Sequence, residues 1–241
     1  MQEFAGIWEK LKRAEENIHN LDSEIALFFQ KSDFPRIPED DDELLRKAIQ
    51  YHRNLPIPPR FSVLAGEIIH HLRSCFDHIV WHFTVQPGKN VRKIEFPVFE
   101  EPPANHIGRK FFEGKIAGIT NSEVLSIIHG LQPYAATDPL NDPLSIIHNF
   151  DIMDKHRELV ICAGTASRFF PPHMQKVIES YEGEHPELNS AQVAHYFKDF
   201  GPLMPYISFR DFGTRKIEPV IPGLVELFNH TVKSVKRFEV V

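Results

Sequence analysis

The chain has 241 residues, with 42% hydrophobic and 25% charged side chains, the balance of an ordinary globular protein with a full apolar core. A formal net charge of -6 excludes wholesale coating of nucleic acid or of an anionic membrane, while leaving room for a local basic pocket. No apolar run approaches the roughly 20 residues that span a bilayer, and two cysteines, both in apolar surroundings, point to reduced thiols and a cytoplasmic location rather than to a disulfide framework.

Residues 3–30 carry the cleanest periodicity. Phe4, Leu11, Ile18 and Ile25 recur every seven residues, as do Ile7, Ala14, Leu21 and Phe28. This predicts a long helix of left-handed bundle type, with Lys10, Lys12, Arg13, Glu15, Glu16 and Glu24 outside. It requires a partner helix, either within the chain or in a second copy. Lys31 to Asp42 reads as a linker ending in the acidic run Glu39 to Glu43, and Leu44 to Leu55 as a short helix or strand.

Arg60 to Thr84 is the stretch around which the rest is expected to pack. It follows the stiff Pro58-Pro59 pair, with Ser62 as the expected N-cap. On a helical wheel Ala65, Ile68, Ile69, Leu72, Phe76, Ile79, Val80 and Phe83 fill one broad apolar arc. One flank carries Glu67, His71, Cys75, His78 and His82. The other carries His70, Arg73 and Asp77, and Arg73 and Asp77 are i,i+4 neighbours able to pair.

Beyond it, Lys93 to Phe99 alternates but is broken by Pro97, so an edge strand or extended loop is expected. Glu100 to Gly118 reads as irregular, with a helical turn at Arg109 to Glu113. Thr120 to Glu123 has capping-box spacing before a helix that closes near Gly130. Asp142 and Pro143 open a helix through Val160, and Val160 to Phe170 is rich in strand formers. Asn189 and Gln192 have capping-box spacing before a short helix to Phe200, Tyr206 to Val220 alternates around Gly213 as a hairpin would, and Pro222 begins a last helix.

The expected architecture is α+β and predominantly helical. It is a single domain over 1–241, a bundle of about four long helices with a small antiparallel sheet. Its helical core comprises 1–160 and 220–241, with a less regular excursion over 161–219. No Gly-rich phosphate loop, G-x-S-x-G elbow or H-E-x-x-H zinc motif occurs, which removes several large enzyme classes.

Three chemistries remain. Arg73 and His78, spaced R-x4-H in an apolar helix, resemble the signature of the HEPN superfamily, α-helical proteins that often act as metal-independent ribonucleases across a two-fold dimer. The resemblance implies that His78 relays a proton and that Arg73 stabilises charge on phosphate, with RNA and a second copy as partners and with no cofactor; Asp77 joins this candidate catalytic set as the i,i+4 neighbour of Arg73. Ser74 stands where that family often has Asn, Asp or His. On a regular helix Arg73 and His78 lie about 140° apart, so convergence needs a kink or a partner subunit.

The second chemistry is a metal site, with His71, Cys75, His78 and His82 as one stripe of zinc-type ligands and His148, Asp151 and Asp154 as candidates from a second helix. The third is non-enzymatic: a dimeric or partner-binding bundle whose polar groups are buried hydrogen-bonded specificity elements. The set L-R-S-C-F-D-H (Leu72 to His78), Q-P-Y (Gln132 to Tyr134) and D-K-H-R (Asp154 to Arg157) is also similar to an uncharacterised family of bacterial proteins. That similarity implies that Arg73, Asp77, His78, Asp154, Lys155, His156 and Arg157 gather where two helices face one another. They would form either an anion-binding or catalytic pocket or an ionic lock. Lys155 and Arg157 also read as favourable charge at a helix C-terminus.

Overall fold

The computed structural model describes residues 4–31, 56–85, 93–156, 161–167, 203–209 and 219–241. The described residues are predominantly helical. In chain order they form α1 (Ala5–Lys31), α2 (Pro59–Phe83), α3 (His106–Lys115), α4 (Ser122–Gly130), α5 (Pro143–His156), strands β1 (Ile161–Ser167) and β2 (Leu203–Phe209), and α6 (Val220–Phe238). Two 3-10 turns, Pro133–Ala135 and Pro139–Asn141, lie between α4 and α5. β1 and β2 pair antiparallel from Ile161 opposite Phe209 to Ser167 opposite Leu203.

α1 finds its partner helix within the chain. Its heptad positions Ile7, Leu11, Ala14, Ile18, Leu21 and Ile25 are buried. They pack on α2, which runs antiparallel to α1: the Phe4 ring meets His82 at 5.0 Å, Asn17 Nδ2 donates to Glu67 Oε2 at 3.1 Å, and Glu24 accepts from Arg60 Nε at 2.8 Å. A helix whose apolar stripe is consumed in this way buries its surface without a second copy.

α2 is the central element, touching α1, α5 and α6. Ala65, Ile68, Ile69, Leu72, Phe76, Ile79 and Val80 are all fully buried. The helix begins at Pro59, earlier than the Ser62 cap expected, and no side chain caps it. Proline suits that first position because it has no N–H to leave unsatisfied and its φ is already helical. Ser62 instead lies buried in the first turn.

α6 joins the bundle through Phe238, whose ring meets Phe83 of α2 at 6.1 Å, and through a bond of 2.5 Å from Trp8 Nε1 to Glu239 Oε1. It starts two residues before Pro222, and its buried face holds Leu224, Leu227, Thr231, Ser234, Val235 and Phe238.

Two other boundaries differ from expectation, each for a local reason. α3 spans ten residues where a single turn was expected, because Asn105 caps it by accepting from Gly108 N at 2.7 Å. α4 is capped by Asn121 rather than Thr120, since the Asn121 carboxamide reaches Glu123 N at 2.9 Å and Val124 N at 3.4 Å. Residues 94–99 form an extended connection, the loop alternative expected for Lys93 to Phe99. Asp142 does cap α5, accepting from Leu144 N at 2.9 Å. The expectations for Lys31 to Asp42 beyond Lys31, Leu44 to Leu55, the helix at Asn189 to Phe200 and the turn around Gly213 lie outside the described residues. Among the described residues no helix is long and apolar enough to cross a membrane.

Candidate functional site

The polar groups converge on the face of α2 that meets α5. These helices run antiparallel, so Gly66, His70 and Arg73 stand opposite Asp154, Asp151 and His148. Arg73 is 4% exposed and uses all three guanidinium nitrogens. Nη1 donates to Asp77 Oδ1 at 2.6 Å, Nη2 to the Phe96 carbonyl at 2.9 Å and Nε to His148 Nδ1 at 3.4 Å. Asp77 Oδ1 also accepts from Phe96 N at 2.9 Å, so the Arg73–Asp77 pair holds both backbone groups of one residue.

That residue belongs to the extended connection, which is fastened along its whole length. Glu95 forms an ion pair with Lys115 of α3, Pro97 O accepts from Gln132 Nε2 at 2.9 Å, and Phe99 O accepts from Tyr134 N at 3.1 Å. Glu100 Oε1 accepts from Ser145 Oγ and, at 2.9 Å, from Asn149 Nδ2. Backbone that forms neither helix nor strand must satisfy its buried N–H and C=O groups elsewhere, and here side chains of α2 and the Gln132-Pro133-Tyr134 segment do so.

One turn toward the N-terminus of α2, His70 Nδ1 lies 2.9 Å from Asp151 Oδ1, while Lys155 Nζ donates to Asp151 Oδ2 at 2.5 Å. Asp151 is 4% exposed, whereas His70 is 53% exposed. Asp154 lies against Gly66 so closely that a Cβ on that glycine would fall 2.3 Å from Asp154 Oδ1. Only glycine leaves room for this approach. Burial, then the neighbouring Asp151 charge, raise the Asp154 carboxyl above its ordinary value.

These groups form two adjoining constellations, Arg73–Asp77–Phe96–His148 and His70–Asp151–Lys155. Among the described residues, His78 and His156 do not join the single cluster expected from the sequence. His78 is exposed on the α1 side of α2, away from Arg73, as the helical period requires. His156 is exposed, and Arg157 lies outside the described residues.

The zinc-type stripe does not converge either. His71 and His82 are separated by about 16 Å of helix rise, and α5 carries His148, Asp151 and Asp154 to the opposite flank. Cys75 Sγ donates to the His71 carbonyl at 3.2 Å, and burial pushes its thiol up to about 12, so it is held as the protonated thiol. Among the described residues no group of three or more His, Cys, Asp or Glu side chains is placed to hold a metal ion.

Sequence reasoning missed the partners that complete the constellations: Phe96, His70 with Asp151, and the Glu100–Ser145–Asn149 group. Gln132, which holds the Pro97 carbonyl, was already marked by the Q-P-Y motif. The others lie too far along the chain for spacing to reveal.

His148 supplies a pH dependence. Burial first, and then the Arg73 charge, lower it from an ordinary 6.5 to about 4, so the folded protein holds it neutral. Between those values the unfolded chain binds a proton that the folded chain refuses. Stability from this group is therefore complete above about pH 6.5 and is lost as pH falls toward 4. The urea midpoint is expected to drop across that window, and His148→Gln, which keeps an acceptor but cannot titrate, to flatten the drop. An unchanged slope in the variant would remove His148 from the acid response.

No family model matches the sequence, and comparison with curated proteins and with solved structures returns no match.

Proposed function

We propose that this chain is a non-enzymatic cytoplasmic scaffold. It is an α+β protein built as a bundle of four long helices with a small antiparallel pair of strands, and it works through contacts of its surface with other macromolecules. The Arg73 constellation is an ionic lock that fixes α2, α5 and the connection between α2 and α3 in one arrangement. The observation that carries this reading is the closure of Arg73: at 4% exposure, with every guanidinium nitrogen bonded inside the fold, its N–H donors are held in the core rather than offered to a phosphate oxygen. A catalytic arginine must present such donors where charge develops. The buried, protonated Cys75 thiol fits a reducing compartment.

One observation favours the HEPN-like ribonuclease as a second reading. His78 is exposed, and burial together with the Lys10 charge lowers its pKa, so a neutral imidazole is available as a base near pH 7. The two readings separate by incubating RNA with wild type and with His78→Ala in EDTA, alongside light scattering over a range of concentrations. The scaffold reading expects no cleavage by either protein. Cleavage that survives EDTA and disappears in His78→Ala, from a dimeric species, would replace it with the nuclease. Cleavage by wild type that EDTA abolishes would replace it with a metal-dependent activity.

A further inference from the structure

The flank of α2 that faces α1 carries chemistry that the lock does not use. The Asn17–Glu67 bond sets the register of these antiparallel helices. Two turns back along α1 from Asn17 is Lys10, and two turns forward along α2 from Glu67 is Ser74, with about 3.6 residues to each turn. The bond of Arg60 Nε to Glu24, two turns to the other side of both residues, keeps the same register. Lys10 therefore stands opposite Ser74, with His71 and His78 one turn to either side. Lys10, His71 and Ser74 are half-buried and His78 is exposed, so the group lies in an open seam.

We propose that this seam between α1 and α2 binds a phosphate-class oxyanion, held by the Lys10 ammonium, the imidazoles of His71 and His78 and the Ser74 hydroxyl. The inference is independent of the scaffold reading. Among the described residues no ion pair engages Lys10. Asp77 is paired with Arg73 and Arg13 with Glu16, while Glu67 keeps its charge beside the neutral Asn17 carboxamide, so Lys10 is the cation of the seam that no ion pair engages. His71 Nδ1 is shielded from solvent and has no partner among the described residues, a polar atom that the fold itself leaves unanswered. Ser74 Oγ donates only a long bond of 3.3 Å to the His71 carbonyl and is free to re-aim by a rotamer change. Burial and then the Lys10 charge lower both histidines, so both rings are neutral near pH 7 before an anion arrives. An oxyanion would offset Lys10 and favour proton uptake by both rings.

The test is a titration of the full chain with inorganic phosphate at constant ionic strength in chloride, read by the imidazole resonances of His71 and His78. Saturable shifts at both rings and raised histidine pKa values are expected. Lys10→Gln should weaken binding at least tenfold, while the outward Lys12→Gln binds as wild type. Glycerol phosphate run in parallel separates a phosphate ester from the free ion, and saturable binding of either supports the site. Shifts no larger than those in chloride, or equal binding by a folded Lys10→Gln, overturn it. Should Lys10→Gln fail to fold, the decision passes to the exposed His78→Gln, where lost affinity supports the site and unchanged affinity overturns it.

Discussion

Replacing Arg73 by alanine is expected to lower the free energy of unfolding by about 3–5 kcal/mol, the range for breaking a buried charge pair from one side. The loss comes less from the attraction removed than from what is stranded. The Phe96 carbonyl loses its donor inside the core, and Asp77 loses its countercharge while still bound to Phe96 N. Asp77 is 35% exposed, so water recovers part of its solvation and the effect should fall toward the lower end of the range. Lysine does not rescue it, because one ammonium cannot reach Asp77, Phe96 and His148 in three directions. Removing both charges in Arg73→Met with Asp77→Leu should cost less than the sum of the single changes, since the double variant leaves no unpaired charge. Urea unfolding of the four proteins reads this directly. A loss below about 1 kcal/mol in Arg73→Ala would show that the guanidinium does not hold the connection.

Phe96→Ala is the second large effect, again about 3–5 kcal/mol. The ring is fully buried and meets Phe76 edge-on at 5.1 Å between centroids. Its removal opens a cavity against the centre of α2, in a place where the backbone cannot collapse because Arg73 and Asp77 still hold its carbonyl and amide. The contrast is Phe111→Ala on α3, a ring 60% exposed, which should stay within about 1 kcal/mol of wild type. Thermal or urea unfolding of both variants measures the difference. Equal losses would mean that burial in the core is not what fixes the connecting segment.

The long helices were legible because their information is periodic and local. The heptads of α1 and the apolar arc of α2 name their buried faces before any partner is known, and those residues are buried in the fold except Phe28 and Phe83, which are half-buried. The Arg73–Asp77 pair was readable for the same reason, an i,i+4 spacing on one helix. Helix starts were less so. Asn121 and Thr120 are both plausible caps, and which one serves depends on the entering backbone.

By itself the sequence determined the helical class, the faces that α1 and α2 bury, and the separation of His78 from Arg73 around the helix, because each follows from a fixed period of 3.6 residues per turn. Only the tertiary structure decided what Arg73 is for. Its remaining partners, Phe96 and His148, come from segments whose spacing carries no periodicity linking them to α2. The same holds for His70 with Asp151 and for Lys10 opposite Ser74, where the antiparallel packing of two helices sets the pairing. A local pattern states which face of a helix is buried. Which charge meets which across the interface depends on the register of two helices, and that is a property of the packed fold.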